Sequence, residues 1–286
     1  MSEPHSSSSI RRILVALDAS PQSLAALEAA TELAARMEAE LAGLFVEDVE
    51  LLRIAESGAA REIAYPSATE APLNRSLMER KWKAQSEQIQ NALAAAAHRA
   101  KIRWSFRTVR GHVTAAVRAA ASPDDIVAVG RIGWSLGGPL RIGSTARDLA
   151  ASSIPLLLIS RHAARGSQRL LVYYDGSSAS TNALLIATKL AKAGAKGITV
   201  LVPTTASDEA LAEIPSLFHG QDQKVRLRSI DLDDRESLAR AVNEEQAEML
   251  ILAGRKLLKD PETLESLLAQ LEVPLILLGN GTRAAA

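Results

Sequence analysis

Residues 12–20, "RILVALDAS", and residues 169–177, "RLLVYYDGS", are two versions of one pattern, and they decide the fold. Each is a short apolar run that ends in an aspartate, a small residue and a serine. A helical pattern follows each copy, with apolar residues at positions i, i+3, i+4 and i+7. In the first copy, Ser20 is a predicted N-cap and Pro21 suits the first helical turn. Each half of the chain therefore begins with a predicted strand, turn and helix.

The parallel between the halves continues through four further pairs of apolar runs. Continuous apolar strands that alternate with helices favour a parallel sheet covered on both faces. We therefore predict an α/β fold of two tandem, doubly wound, Rossmann-like domains with five parallel strands each. The matched runs are "AELAGLFV" with "KGITVLV", "IRWSFRTVRG" with "VRLRSIDLDD", "DDIVAVGR" with "AEMLILAGR", and "SIPLLLIS" with "EVPLILLG".

The domain boundary is predicted at the polar stretch "SRHAARGSQ". It separates a first domain over 10–162 from a second over 168–281. The first domain carries a long insertion after its second strand, roughly residues 47–101. The role of that insertion is left open by the sequence.

Composition excludes several classes of function. The chain has no cysteine, which excludes disulfides, thiol catalysis and cysteine-based zinc sites. Its 33 basic residues equal its 33 acidic residues, which argues against a dedicated nucleic-acid binder. No apolar run approaches the ~18 residues that a membrane span needs, and the polar N-terminus lacks a secretory pattern. We expect a cytoplasmic protein with no membrane insertion.

The loop within residues 126–147, "IVAVGRIGWSLGGPLRIGSTAR", fits three motifs. The run "GWSLG" fits the nucleophile elbow of serine hydrolases, but three residues separate it from the strand that should lead directly into it. Neither His162 nor His219, the histidines later in the chain, follows a strand that would aim it at Ser135, so a serine esterase is a remote alternative. The stretch from Gly138 to Thr145 resembles a P-loop, but Ser144 stands where the lysine belongs.

The third motif, G-x2-G-x9-G-[ST], uses the whole loop and ends where a helix is predicted to begin. Glycines let backbone N–H groups approach a phosphate closely, and a helix N-terminus is worth up to ~2 kcal/mol to an anion. Hydroxyls can donate to phosphate oxygens, and the loop arginines can supply charge or else be simply solvated. The candidate residues are Gly130, Arg131, Gly133, Arg141, Gly143, Ser144 and Thr145.

The tandem repeat, the early "LDAS" and this glycine motif together resemble the universal stress protein family, over nearly the whole chain. The resemblance implies an ATP site at the carboxyl ends of the strands, with Mg²⁺ as an optional companion ion. It adds strand-end residues to the phosphate loop, although Asp18 could also serve only as a helix cap. No catalytic residue and no metal-ligating residue is predicted. The additional lining residues are Ala16, Leu17, Asp18, Val46 and Val129.

The second half departs from the motif. When "LAGRK" is matched to "AVGRI", Gly254 takes the place of Gly130 and Leu257 replaces Gly133. The G-[ST] step is missing, so this half is a degenerate domain without a phosphate loop. We therefore expect one nucleotide site in each chain, in the N-terminal half.

The resemblance also implies a function and a mode of assembly. We expect a stress-response regulator that changes conformation or partner with nucleotide; the alternatives are a slow ATPase and a nucleotide-independent adaptor for a transporter or regulator. Family members often pair through the last strand of each domain. The two halves are therefore expected to form an intrachain pseudo-dimer along "SIPLLLIS" and "EVPLILLG", and a homodimer is a further possibility. The protein partner is not identified by the sequence.

Overall fold

The computed structural model describes residues 10–57, 61–64, 69–122, 124–130, 144–150, 154–159, 169–192, 194–218, 224–231, 234, 236–253, 270–271 and 273–278. The strands are β1 (Arg12–Leu17), β2 (Glu40–Asp48), β3 (Arg61–Ala64), β4 (Thr69–Pro72), β5 (Trp104–Gly111), β6 (Asp125–Gly130), β7 (Leu156–Ile159), β8 (Arg169–Tyr173), β9 (Gly197–Pro203), β10 (Val225–Ile230), β11 (Met249–Ala253) and β12 (Leu275–Leu278). The helices are α1 (Pro21–Met37), α2 (Val49–Glu56), α3 (Arg75–Ala100), α4 (Val113–Ala120), α5 (Ser144–Ala150), α6 (Ser178–Lys192), α7 (Asp208–Leu217) and α8 (Ser237–Glu244).

Ten of the strands form one continuous sheet in the order β10-β9-β8-β11-β12-β7-β6-β1-β2-β5. Neighbours within each half run parallel, whereas β7 and β12 meet antiparallel at the centre. The predicted parallel five-stranded halves are thus confirmed. The predicted pairing of "SIPLLLIS" with "EVPLILLG" is also confirmed, because Leu156, Leu157 and Leu158 face residues 275–277.

The two halves share one strand order and one register. Counted within each half, the strands lie in the order third, second, first, fourth, fifth. Arg12 lies opposite Glu40 in the first half, and Arg169 lies opposite Gly197 in the second, so both positions shift by 157 residues. The other three strand pairs also match position by position. A residue in one half therefore has a defined equivalent in the other.

Both faces of the sheet are covered, which explains why its central strands read as unbroken apolar runs. The side chains of α1, α3, α6 and α7 join one buried cluster. Those of α4, α5 and α8 join a second cluster on the opposite face. Every residue of β7, β11 and β12 is buried between these layers.

The insertion after β2 consists of α2, the β3–β4 hairpin and α3. The buried residues of α3, among them Trp82 and Leu93, recur on one side of the helix and join the first cluster. Arg110 of β5 pairs with Glu47 at 2.7 Å and with Glu79 at 3.4 Å, which ties the ends of β2 and β5 to the start of α3. Within the described residues, no helix has the length and apolar character needed to cross a membrane.

Candidate functional site at the switch point of the N-terminal half

The N-terminal half has its topological switch point between β1 and β6. The chain leaves β1 towards β2 on one side, and the later strand β6 lies on the other side. Helices that follow neighbouring strands on opposite faces leave a crevice at the carboxyl ends, where open α/β sheets bind ligands. α1 packs in the first cluster and α5 in the second, as this geometry requires.

The strand-end residues predicted to line the site lie together at the carboxyl ends of β1, β2 and β6. Leu17 is opposite Phe45, so Val46 is level with the residue that follows β1. Val15 is opposite Ala128, so Val129 and Gly130 lie beside the last two residues of β1. Ser144 and Thr145 open α5, in line with the predicted helix start. Arg131, Gly133, Arg141 and Gly143 lie outside the described residues.

Asp18 forms a tight turn between β1 and α1. Its Oδ1 accepts a hydrogen bond from the Ser20 N–H at 3.0 Å, and Ser20 Oγ accepts one from the Ser23 N–H at 3.1 Å. Ser20 is therefore the N-cap, as predicted. The Asp18 side chain is exposed and its Oδ2 makes no hydrogen bond to any described residue. One carboxylate oxygen thus holds the turn, and the exposed side chain lies at the switch point.

Ala19 occupies a strained backbone conformation in this turn. Its φ angle is 61°, in the left-handed region that a residue with a Cβ adopts at a cost of roughly 1–2 kcal/mol. Strain of this kind persists only where surrounding contacts over-determine it, and it often accompanies functional sites. Here the Asp18 and Ser20 hydrogen bonds fix the turn on either side.

Gly130 has a packing role that the sequence did not reveal. A Cβ added here would lie 3.1 Å from Gln22 Cβ and 3.3 Å from the Gln22 carbonyl oxygen. The end of β6 therefore packs directly against the first turn of α1. Sequence reasoning assigned this glycine to phosphate approach, and the structure adds a steric requirement that holds without any ligand.

An ion pair at the amino ends of β1 and β6 links the two strands that flank the switch point. Arg12 Nε donates to Asp125 Oδ1 at 3.1 Å, and Asp125 Oδ2 also accepts from the Ser122 N–H at 2.7 Å. The hydrogen bond to Asp125 raises the pKa of the Arg12 guanidinium, which therefore stays charged. The sequence reasoning missed this pair because its members are 113 residues apart.

The second half repeats the turn with different chemistry around it. Asp175 Oδ1 accepts from the Ser177 N–H at 3.1 Å, and Gly176 takes the left-handed conformation with φ 79°.

The register of the strands corrects one match that was made between the two halves from the sequence. Gly130 lies opposite Ile159, and the corresponding position opposite Leu278 is Ala253. The match of Gly254 to Gly130 is therefore wrong by one residue, because local similarity of short apolar runs does not fix strand register.

No metal centre is evident in the described part of the chain. It contains no group of three histidine, aspartate or glutamate side chains placed to hold an ion. What the described site offers a ligand is the carboxyl ends of three parallel strands and the exposed carboxylate of Asp18.

A family model described as "Universal stress protein family" matches residues 9–160, more than half of the 286-residue chain. The chain belongs to the universal stress protein family. The resemblance drawn from the repeat and the glycine motif is thereby confirmed at the level of the family. A search of curated protein sequences found no significant match.

Solved structures show the fold of this universal stress protein chain. A universal stress protein from Archaeoglobus fulgidus is 17% identical, covers 96% of this chain and 98% of its own, and superposes with a TM-score of 0.69. A functionally unknown protein from Pseudomonas aeruginosa is 15% identical, covers 95% of this chain and 93% of its own, and gives 0.54. A universal stress protein solved in complex with cAMP is 17% identical, covers 54% of this chain and 99% of its own, and gives 0.37.

Proposed function

We propose that this universal stress protein is a cytosolic regulator that binds one adenine nucleotide, ATP first, at the switch point of its N-terminal half. One observation carries the proposal: residues predicted to line the site lie close together at the carboxyl ends of three neighbouring strands. Ala16 and Leu17 end β1, Val46 lies near the end of β2, and Val129 and Gly130 end β6. Mg²⁺ would accompany the phosphates as a companion ion rather than as a resident metal.

We assign the polar contact to the exposed carboxylate of Asp18. Ribose hydroxyls are hydrogen-bond donors, and a carboxylate accepts from them more strongly than a neutral group does. Because Oδ1 already accepts from Ser20, the orientation of Oδ2 is fixed before a ligand arrives. A pre-oriented acceptor loses little side-chain entropy on binding, which favours affinity.

We expect regulation to act through the elements next to the carboxyl ends of these strands. A ligand shifts a conformational population only when it binds the two states unequally. α2 follows β2 directly, and the Asp48 side chain caps it by accepting from the Glu50 N–H at 3.0 Å. The insertion therefore starts beside the proposed site and is in place to respond to it. We treat 10–162 as the nucleotide-binding domain and 168–281 as a domain without a nucleotide site.

A pair of equivalent substitutions tests the proposal. Asp18→Asn keeps an oxygen for the Ser20 N–H but removes the charge, so we expect its Kd for ATP to rise about tenfold or more. Asp175→Asn makes the same change in the second half and should leave the Kd unchanged. Isothermal titration calorimetry on nucleotide-free protein measures both. Wild-type protein that binds neither ATP, ADP nor AMP would overturn the proposal and favour a nucleotide-independent adaptor.

A further inference from the structure

The switch point of the C-terminal half carries a bulky residue at one strand end where that of the N-terminal half has a small one. Tyr173 lies opposite Leu201 as Ala16 lies opposite Leu44, so the two are equivalent by register. Ala16 is only partly buried, whereas Tyr173 is 4% exposed. Both side chains lie on the face of the sheet that belongs to the second cluster. A phenol ring therefore stands in the C-terminal half where the N-terminal half has a methyl group.

One neighbouring position also differs in a way that disfavours a ligand, and the other is buried in both halves. Pro203 takes the register position of Val46, and proline has no backbone N–H to donate. Tyr174, the equivalent of Leu17, is 1% exposed, and its hydroxyl donates to Glu213 Oε2 at 3.0 Å. This hydrogen bond ties the end of β8 to α7.

Tyr173 is buried in the second cluster and lies two residues before Asp175, the aspartate of the turn. Burial, together with the nearby charge of Asp175, raises the pKa of Tyr173 to about 12. Asp175 is the equivalent of Asp18. The side chain therefore stays neutral under ordinary conditions.

From these positions, and resting on the proposed function for the N-terminal half, we infer that Tyr173 fills the space that a bound base would occupy at the equivalent edge. The C-terminal half is closed by its own side chain. The inference also locates the base in the N-terminal half, beside Ala16 on the second-cluster face. It gives a reason for a single site per chain that is independent of the missing phosphate loop.

The first test does not depend on ATP. Tyr173→Ala should open a planar cavity, since deleting an aromatic side chain leaves space that the surroundings fill only in part. Indole is the probe, and the thermal unfolding midpoint is the readout. We expect indole to raise the midpoint of Tyr173→Ala more than that of wild type or Tyr173→Phe, because only this variant adds a cavity to the site proposed in the N-terminal half. No additional rise in folded Tyr173→Ala over the other two proteins would overturn the inference.

The second test transfers the tyrosine to the other half. Ala16→Tyr should weaken ATP binding by more than about a hundredfold, because a side chain competes for the space of the base, while Tyr173→Phe, in the half without a site, should leave the Kd unchanged. A folded Ala16→Tyr variant that binds ATP as wild type does would overturn the inference. If wild type binds no nucleotide, the proposed function fails, and the indole experiment alone decides the fate of the inference.

Discussion

The two halves of this chain have the same backbone plan and different chemistry at the carboxyl ends of their strands. Their strand order, register and β–α turns agree position by position. Their strand ends differ, because Ala16 is replaced by Tyr173 and Val46 by Pro203. The fold is therefore set by strand pairing and by the two buried clusters, and it leaves the strand ends open to very different side chains. Function in such a sheet lies in those ends and not in the fold itself.

A second difference concerns the ion pairs at the amino ends of the strands. In the N-terminal half, Asp125 pairs with Arg12 of the same half. Glu248, its equivalent by register, pairs instead with Arg36 from α1 at 2.7 Å. Arg36 also donates to the Leu190 carbonyl oxygen at 3.3 Å. The same acidic position thus stabilises a single half in one case and joins the two halves in the other.

The largest effect is expected from breaking this connection. Arg36 and Glu248 have side chains that are 14% and 11% exposed, and Glu248 Oε2 has no hydrogen-bond partner in the described structure. Arg36→Met would leave a buried, unpaired carboxylate, so we expect the free energy of unfolding in urea to fall by about 3–5 kcal/mol. Adding Glu248→Leu should recover most of the loss, because the unpaired charge is then removed.

Arg53→Met is the control for this prediction. Arg53 pairs with Glu50 at 2.9 Å, but the side chains are 69% and 50% exposed. Such a pair contributes about 0.5 kcal/mol or less. If Arg36→Met lowers the free energy of unfolding no more than Arg53→Met does, the buried pair does not hold the halves together.

The ionisation of Tyr173, a residue of the C-terminal half, should lower the stability of the protein at alkaline pH. Its pKa is raised from 10.0 to about 12 in the folded protein. Below the pKa of the unfolded state, the Tyr173 hydroxyl is protonated in both the folded and the unfolded protein. Between the two pKa values only the unfolded protein releases this proton, so the free energy of unfolding falls as pH rises. From about pH 9 to about pH 12, wild type should lose roughly 2 kcal/mol more than Tyr173→Phe. Denaturant titrations at several pH values would measure this difference, and parallel curves for the two proteins would refute it.

The smallest effects are expected in the paired turns. Ala19→Gly relieves left-handed strain of roughly 1–2 kcal/mol but adds freedom to the unfolded chain, so the expected net gain is about 0.5 kcal/mol. Gly176→Ala should cost about 1 kcal/mol, because it imposes the same strain and places a Cβ 3.3 Å from Ala210 Cβ. Changes of the same sign in both variants, measured by urea unfolding, would mean that the turns are not equivalent.

The fold was predictable because its signals are local and repeated. Apolar runs, the aspartate–serine turn and the Ser20 cap are each contained in a few residues, and the second copy provides an internal check. Strand register was less accessible: Gly254 was matched to Gly130 where the sheet places Ala253. Contacts between distant segments, such as that of Arg36 with Glu248, depend on how helices pack across the sheet and leave no local pattern.

The candidate site was predictable only in part. The strand-end positions follow from the topology, since parallel strands present their carboxyl ends at one edge. The packing of Gly130 against Gln22 and the closure of the second half by Tyr173 depend on three-dimensional proximity. The tyrosine pair in "RLLVYYDGS" is visible in the sequence, but without register it cannot be assigned to the place of a ligand.

The most direct measurement is the number of ATP molecules bound by each wild-type chain, from equilibrium dialysis of nucleotide-free protein at saturating ATP. The comparison of the halves predicts one per chain, unchanged in Asp175→Asn and lost in folded Ala16→Tyr. Two equivalent sites per chain would contradict the closure of the C-terminal half. No bound nucleotide would contradict the proposed function of the N-terminal half.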